Sequence, residues 1–252
     1  MAKSSIIGLV PLVVLVLIWQ VAHQSGIYST ALFPSPAEVY AVFVDEFGDL
    51  ARHAQASIGR VVMGVSVAFV LAVPAGLLIG RFPALDLLFD WSIQIFRSFP
   101  VIALIPLAIL FFGIGERPAI VLITVAAFWP LLISTIFGVK SVDRTLLKVA
   151  KASGASERLV LTDILLPSAL PAILTGLRLA LGSGWLTVVA AEMMAVKSGL
   201  GYLIMYAQVI FRPDLIFSGI LIIGGIGLLF DQIVRQARAL LCRWQDGLVA
   251  SS

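Results

Sequence analysis

Charge is what this sequence has least of: Asp, Glu, Lys and Arg make up 12% of its 252 residues, against about 25% in an ordinary soluble domain. Cysteine is nearly absent, and the lone Cys242 cannot form an intramolecular disulfide. Two histidines, His23 and His53, do not make a metal cluster, so neither a metal nor a cofactor is expected. None of the five lysines follows a glycine, which removes the G-K-[ST] end of a phosphate-cradling loop and with it ATP hydrolysis by this chain. The expectation is a non-catalytic protein.

What is there instead is apolar. Hydrophobic residues reach 60%, mean hydropathy is +1.08, and uncharged runs long enough to cross about 30 Å of hydrocarbon recur along the chain. The fold class that follows is an all-α integral membrane protein with one membrane domain over residues 1–252. The pI of about 9.2 reflects the habit of basic residues to gather in cytoplasmic loops, so the partner it implies is a lipid bilayer and not nucleic acid.

The gaps between charges give six spans. "IIGLVPLVVLVLIWQVA" follows Lys3, and with no A-x-A-like site after it, it is expected to be retained as the first span. The second is "VVMGVSVAFVLAVPAGLLIG" between Arg60 and Arg81. The third runs from about Ser98 to Gly115, the fourth from Pro118 to Val139, the fifth from Pro171 to Ala195, and the sixth is "LIFSGILIIGGIGLLF" between Asp214 and Asp231. With the N-terminus inside, Lys3, Arg81, Lys140, Arg144, Lys148, Lys151, Arg158, Arg235, Arg238 and Arg243 fall inside, against Arg52, Arg60, Arg117, Lys197 and Arg212 outside. That bias places both termini in the cytoplasm. Between spans one and two, "FPSPAEVYAVFVDEFGDL" predicts an amphipathic helix on the outer surface. Pro74, Pro100, Pro106 and Pro130, in or near spans, kink helices or free carbonyls, which a bilayer tolerates only where neighbours or water satisfy them.

Residues 141–167, between spans four and five, are polar yet patterned. Ser141 is a candidate N-cap; Leu146, Val149, Ala150 and Ser153 follow helical spacing; Gly154 interrupts; a second short helix is predicted over 156–165, and Pro167 closes the unit. Periodicity leaves two readings open. The helices lie on lipid headgroups, or they form a docking knob for a cytoplasmic partner, which Ala150, Ala152, Gly154 and Ala155 would let approach closely.

Gly154, nine residues, then "ILLP" at Ile164 to Pro167 resembles the E-A-A, three residues, G, nine residues, I-x-L-P loop of permease subunits in binding-protein-dependent ABC importers. "LFPSP" at Leu32 to Pro36, "FPVIALIPLAILFFGIGE" at Phe99 to Glu116 and "GLGYLI" at Gly199 to Ile204 are similar to the nitrate/sulfonate/taurine-type branch. The resemblance covers roughly 32–240 and implies coupling helices that dock on a separate cytoplasmic ATPase, a homodimer with the path between subunits, an external substrate-binding protein, and residence in the bacterial inner membrane. The position-by-position match assigns ATPase coupling to Lys148, Ala150, Gly154, Ala155, Ile164, Leu166 and Pro167. The first position departs from the family: Lys148 stands where the motif has Glu, reversing the charge. The implied cargo is a small anion such as a sulfonate, taurine or nitrate; relatives handle thiamine-precursor pyrimidines or aromatic acids.

Glu192, in "TVVAAEMMAV", is an acid in an apolar span and hence a functional candidate, for an outer gate or as an interfacial partner of Lys197. Arg178, fourteen residues earlier, returns to nearly the same helix face, so both could line one pore; it and Arg97 either meet an anion or, near the cytoplasmic end, snorkel to water or form a structural pair. Pro100 joins Arg97 as a candidate path residue. Gly176, Gly182, Gly184, Gly224, Gly225 and Gly227 suit close helix contacts or a homodimer face, and Trp19, Trp91, Trp129 and Trp185 mark interfaces or bundle packing. An ion-gradient-driven secondary transporter using Glu192 or Asp231 is the competing reading; a membrane-embedded enzyme ranks below it, neither histidine lying deep in a span.

Overall fold

Proline and glycine punctuate a chain that is otherwise helical almost throughout. The computed structural model describes residues 2–26, 29 and 32–242; Arg243, counted above among the inner charges, lies outside them. Helix α1 (Ala2–Gln24) covers the first expected span. The Trp19 indole N–H donates to the Pro34 carbonyl at 2.9 Å and the ring stacks on Phe217. Helix α2 (Pro36–Asp45) starts with a capping box: the Glu38 amide donates to Ser35 Oγ at 3.2 Å and the Ser35 amide to Glu38 Oε2 at 2.6 Å. Val39 and Val42 are buried, as an amphipathic helix requires, but the opposite face also carries exposed Tyr40 and Val44.

Three helices form the core: α3 (Phe47–Arg81), α6 (Glu116–Lys140) and α9 (Leu166–Ala195). Glycines set their spacing. A β-carbon on Gly64 would lie 2.6 Å from Ile123, on Gly76 2.6 Å from Thr135 and on Gly80 2.7 Å from Val139. The paired numbers rise together, 59 apart at each contact, so α3 and α6 run parallel in fixed register. Helix α9 runs the other way, with Gly138 against Ala169 and Ala172, and Gly176 against Ser134. Of the glycines singled out by sequence, Gly176, Gly184 and Gly227 meet neighbours, whereas Gly182, Gly224 and Gly225 face open space.

Pro130 sits inside α6 and withholds the N–H that would bond the Ala126 carbonyl four residues back. Ser183 Oγ donates to that carbonyl at 2.9 Å. The free carbonyl expected at this proline is thus satisfied from α9, as hydrocarbon surroundings demand. Ser183→Ala is expected to cost about 1–3 kcal/mol by orphaning it, read as a lower melting temperature in detergent; an unchanged melt would mean the carbonyl finds another donor.

The third expected span is not one helix. Helix α4 (Pro83–Arg97) ends where Ser98 Oγ bonds the Gln94 carbonyl at 2.8 Å; a 3-10 turn over Val101–Leu104 and helix α5 (Ile105–Phe112) then leave at 81°. Pro100, lacking an N–H, occupies the elbow. Sequence reading joined the apolar residues on its far side into a span and overlooked α4, of which no residue is buried. Helix α10 (Leu200–Val209) and helix α11 (Pro213–Leu241) close the chain. Among the described residues four helical stretches are long and apolar enough to cross a bilayer, and the bent α4–α5 pair makes a fifth. Six were expected.

Candidate functional site

Residues 141–165 hold one separate short helix and a turn at Gly154, and differ from the expected pair of short helices in two ways. Helix α7 (Arg144–Ala152) is capped by Asp143, whose carboxylate accepts the Thr145 amide at 2.7 Å; that bond holds the Asp143 carboxyl below the usual carboxylate range. Ser141 instead ends α6, its hydroxyl donating to the Gly138 carbonyl. Gly154 has φ +74° and nothing within 4 Å of a β-carbon position, so backbone handedness and not space calls for glycine. The Ala155 amide reaches back to the Ala150 carbonyl at 3.0 Å, completing the turn.

The second correction concerns Pro167, which closes nothing. Ser156 caps the single turn α8 (Glu157–Leu159), which passes through a π-helical stretch (Val160–Leu165) directly into α9, where Pro167 occupies the first turn and needs no N–H partner. Glu157–Ala195 is therefore one helical rod of 39 residues. Ala150, Val160 and Leu165 pack with Val73, Val139, Ala169 and Ile173, and Arg81 grips Glu157 with two bonds of 2.8 and 3.2 Å. Leu146 (52% exposed), Val149 (59%) and Lys148 project outward. Of the other matched positions, Ala150 is buried, Ala155, Ile164 and Leu166 are half-buried, and Pro167 is exposed.

Arg97 and Pro100 share the elbow after α4. Arg97 is exposed, has no ion-pair or hydrogen-bond partner among the described residues, and lines a cleft of about 320 Å³ with Asp86, Asp90, Gln94, Ile133, Ile136 and Lys140. Arg178 does have partners: its guanidinium bonds Asp231, which also holds Arg235 at 2.5 Å. Arg178 and Glu192, expected on nearly the same helix face, differ in their surroundings. They stand some 21 Å apart along α9 at about 1.5 Å per residue, Arg178 exposed and Glu192 enclosed.

Glu192 lies at the end of the core opposite the loop, and its partner is Arg60, not Lys197. Both are buried, at 0% and 4% exposure, and Arg60 Nη1 donates to Glu192 Oε1 at 2.5 Å. Arg60 also forks onto Glu116 through Nε at 2.5 Å and Nη2 at 2.7 Å, and donates to the Ser198 carbonyl at 3.0 Å and to Ser198 Oγ. All five N–H groups of the guanidinium are thereby used. Glu192 accepts from Ser57 Oγ at 2.8 Å and from the Gly201 amide at 3.0 Å, while Ser57 accepts the Leu200 amide at 2.9 Å. His53 Nδ1 lies 3.0 Å from both the amide and the carbonyl of Gly199. Among the described residues no buried side-chain nitrogen or oxygen lacks a partner.

Sequence reading ranked Glu192 and missed Arg60, Ser57, Glu116 and His53, because Arg60 reads as a span-end charge and the others as polar termini. One signal was available. "GLGYL" places two glycines where a β-carbon would lie 2.2 Å from the Glu192 carboxyl carbon (Gly199) or 2.3 Å from the Val189 carbonyl oxygen (Gly201), the mark of a backbone pressed onto something.

Comparison with known proteins accords with this architecture. The chain is 35% identical over 240 residues to the taurine transport system permease protein TauC of Escherichia coli, covering 92% of this chain and 87% of that one. To the bicarbonate transport system permease protein CmpB of Synechocystis it is 32% identical over 243 residues, covering 91% and 86%. The fold matches the inward-facing MetNI methionine ABC transporter with a TM-score of 0.69 at 20% identity, over 78% of this chain and 97% of that one. Residues 72–239 match the family described as the binding-protein-dependent transport system inner membrane component. The chain, a multi-pass membrane protein, belongs to that family of transport permeases.

Proposed function

We propose that this chain is the membrane-spanning, non-catalytic subunit of an ATP-driven importer for a small oxyanion such as a sulfonate, taurine or bicarbonate. Two copies enclose the path, an external binding protein delivers the solute, and separate ATPase subunits dock on residues 141–167 at the cytoplasmic face, where both termini also lie. Support for the cargo comes from the relatives' names and from Arg97, a cation with no ion-pair partner among the described residues, beside a cleft that also takes in Asp86, Asp90 and Lys140. Arg178, neutralised by Asp231, is the weaker candidate.

The observation that carries the proposal is the loop. Its inner face is packed, its turn is held by a glycine at positive φ, and its outer face leaves Leu146, Lys148 and Val149 exposed among the described residues. An ATPase is the partner that the family's mode of action provides. Co-purification from native membranes in mild detergent tests it: a nucleotide-hydrolysing subunit should accompany the wild type and fall at least tenfold with Gly154→Val, since a β-branched residue resists φ +74°. Absence of any ATPase under conditions that keep a known importer assembled would refute the proposal. Lys148→Glu restores the family's acid; it is expected to lower capture several-fold because the groove must complement the lysine. Unchanged capture would remove Lys148 from the contact.

A further inference from the structure

We infer that Arg60, Glu192 and Ser57 are positioning residues of the transport cycle: they weld the turn between α9 and α10 to α3, so that α10 travels with the rod that begins at the coupling loop. The inference rests on the importer reading for its functional half and on geometry alone for its structural half.

Val196 and Leu200 pack the turn into the core, but its free amides depend on side chains. Residues 196–199 are not helical, and the amides of Gly199, Leu200 and Gly201 stand at the buried N-terminal end of α10, where no intrahelical acceptor is available. Each finds its acceptor on another helix: His53 and Ser57 of α3 for the first two, Glu192 of α9 for the third. Arg60 then ties Glu192 to Ser198 and to Glu116 at the start of α6. A fully satisfied buried network of this kind is rigid. At its other end the same α9 rod carries Glu157, gripped by Arg81 of α3. A push on the loop therefore reaches α10 through one continuous helix pinned to α3 at both ends, and α10 cannot lag behind.

Loosening the weld without emptying it is the test. In a Cys242→Ser background, Leu203→Cys reports on α10, since Leu203 is buried against the core; labelling is measured with a membrane-impermeant maleimide. Glu192→Gln, which keeps the shape and removes the charge, and Ser57→Ala are expected to raise the labelling rate at least tenfold. In the assembled transporter they are expected to cut substrate uptake at least tenfold while nucleotide hydrolysis persists. Unchanged labelling in both variants overturns the weld whatever the cargo. Faster labelling with undiminished uptake overturns its role in transport, and hydrolysis and uptake falling together with loss of the complex would leave it a folding element only. A wild-type assembly that takes up no solute, with labelling behaving as expected, sinks the importer reading and leaves the weld standing.

Discussion

Arg60→Met is expected to be among the most damaging single substitutions in this chain, costing about 3–5 kcal/mol, because removing one partner of a buried pair strands the other charge. Here the stranded group is Glu192, which exposes no surface. Glu116, at 59% side-chain exposure, can turn to water and adds little to the loss. The measurement is melting in detergent followed by size-exclusion: Arg60→Met should melt far below wild type or fail to accumulate. The double variant Arg60→Met, Glu192→Met should recover more than half of the deficit, since apolar groups of similar volume often replace a buried ion pair at little cost. A single variant as stable as wild type would mean that Glu192 takes up a proton and needs no cation, and the network described above would lose its centre.

The second large effect is expected at the glycines beneath that network. Gly199→Ala places a methyl 2.2 Å from the Glu192 carboxyl carbon at φ +100°, and Gly201→Ala places one 2.3 Å from the Val189 carbonyl oxygen. The carbonyl belongs to the backbone of α9 and cannot rotate away, so the turn must lift off. Overpacking typically costs about 1–3 kcal/mol, and here the amide bonds to Glu192 and Ser57 go with it. The controls are Gly182→Ala and Gly224→Ala, which meet nothing within 4 Å and should leave stability unchanged or raise it by about 0.5–1 kcal/mol through helix propensity. If all four variants melt alike, the close approach is not what fixes these residues.

Long apolar runs were the legible part of this fold. The helices α3, α6, α9 and α11 fall on four of the expected spans because twenty consecutive apolar residues admit few alternatives, and Gly154 was found because a positive φ selects glycine by type. The third span misled because α4, before Pro100, carries Asp86, Asp90, Gln94 and Arg97 among its apolar residues and so does not read as a run, whereas the uncharged residues after Pro100 do; the missing N–H of Pro100 marks where the chain turns between them. Arg60 and Glu192 escaped pairing for a different reason. They are 132 residues apart, and no periodicity within one helix reports which face another helix will present. Charges read as span boundaries were in one case a boundary, Arg81, and in the other a core residue, Arg60.

The meshing of α3 with α6 constrains how such a chain can change in length. Contacts at Gly64, Gly76 and Gly80 share one offset, so a residue inserted in either helix between the first and last of them would rotate everything beyond it by about 100° and advance it about 1.5 Å, bringing side chains where glycines now allow backbone contact. Insertions and deletions should therefore be confined to the segments outside these stretches, such as the connection before α2 and the chain beyond α11, while the interval from Gly64 to Gly80 and its counterpart from Ile123 to Val139 keep the same number of residues or change it together.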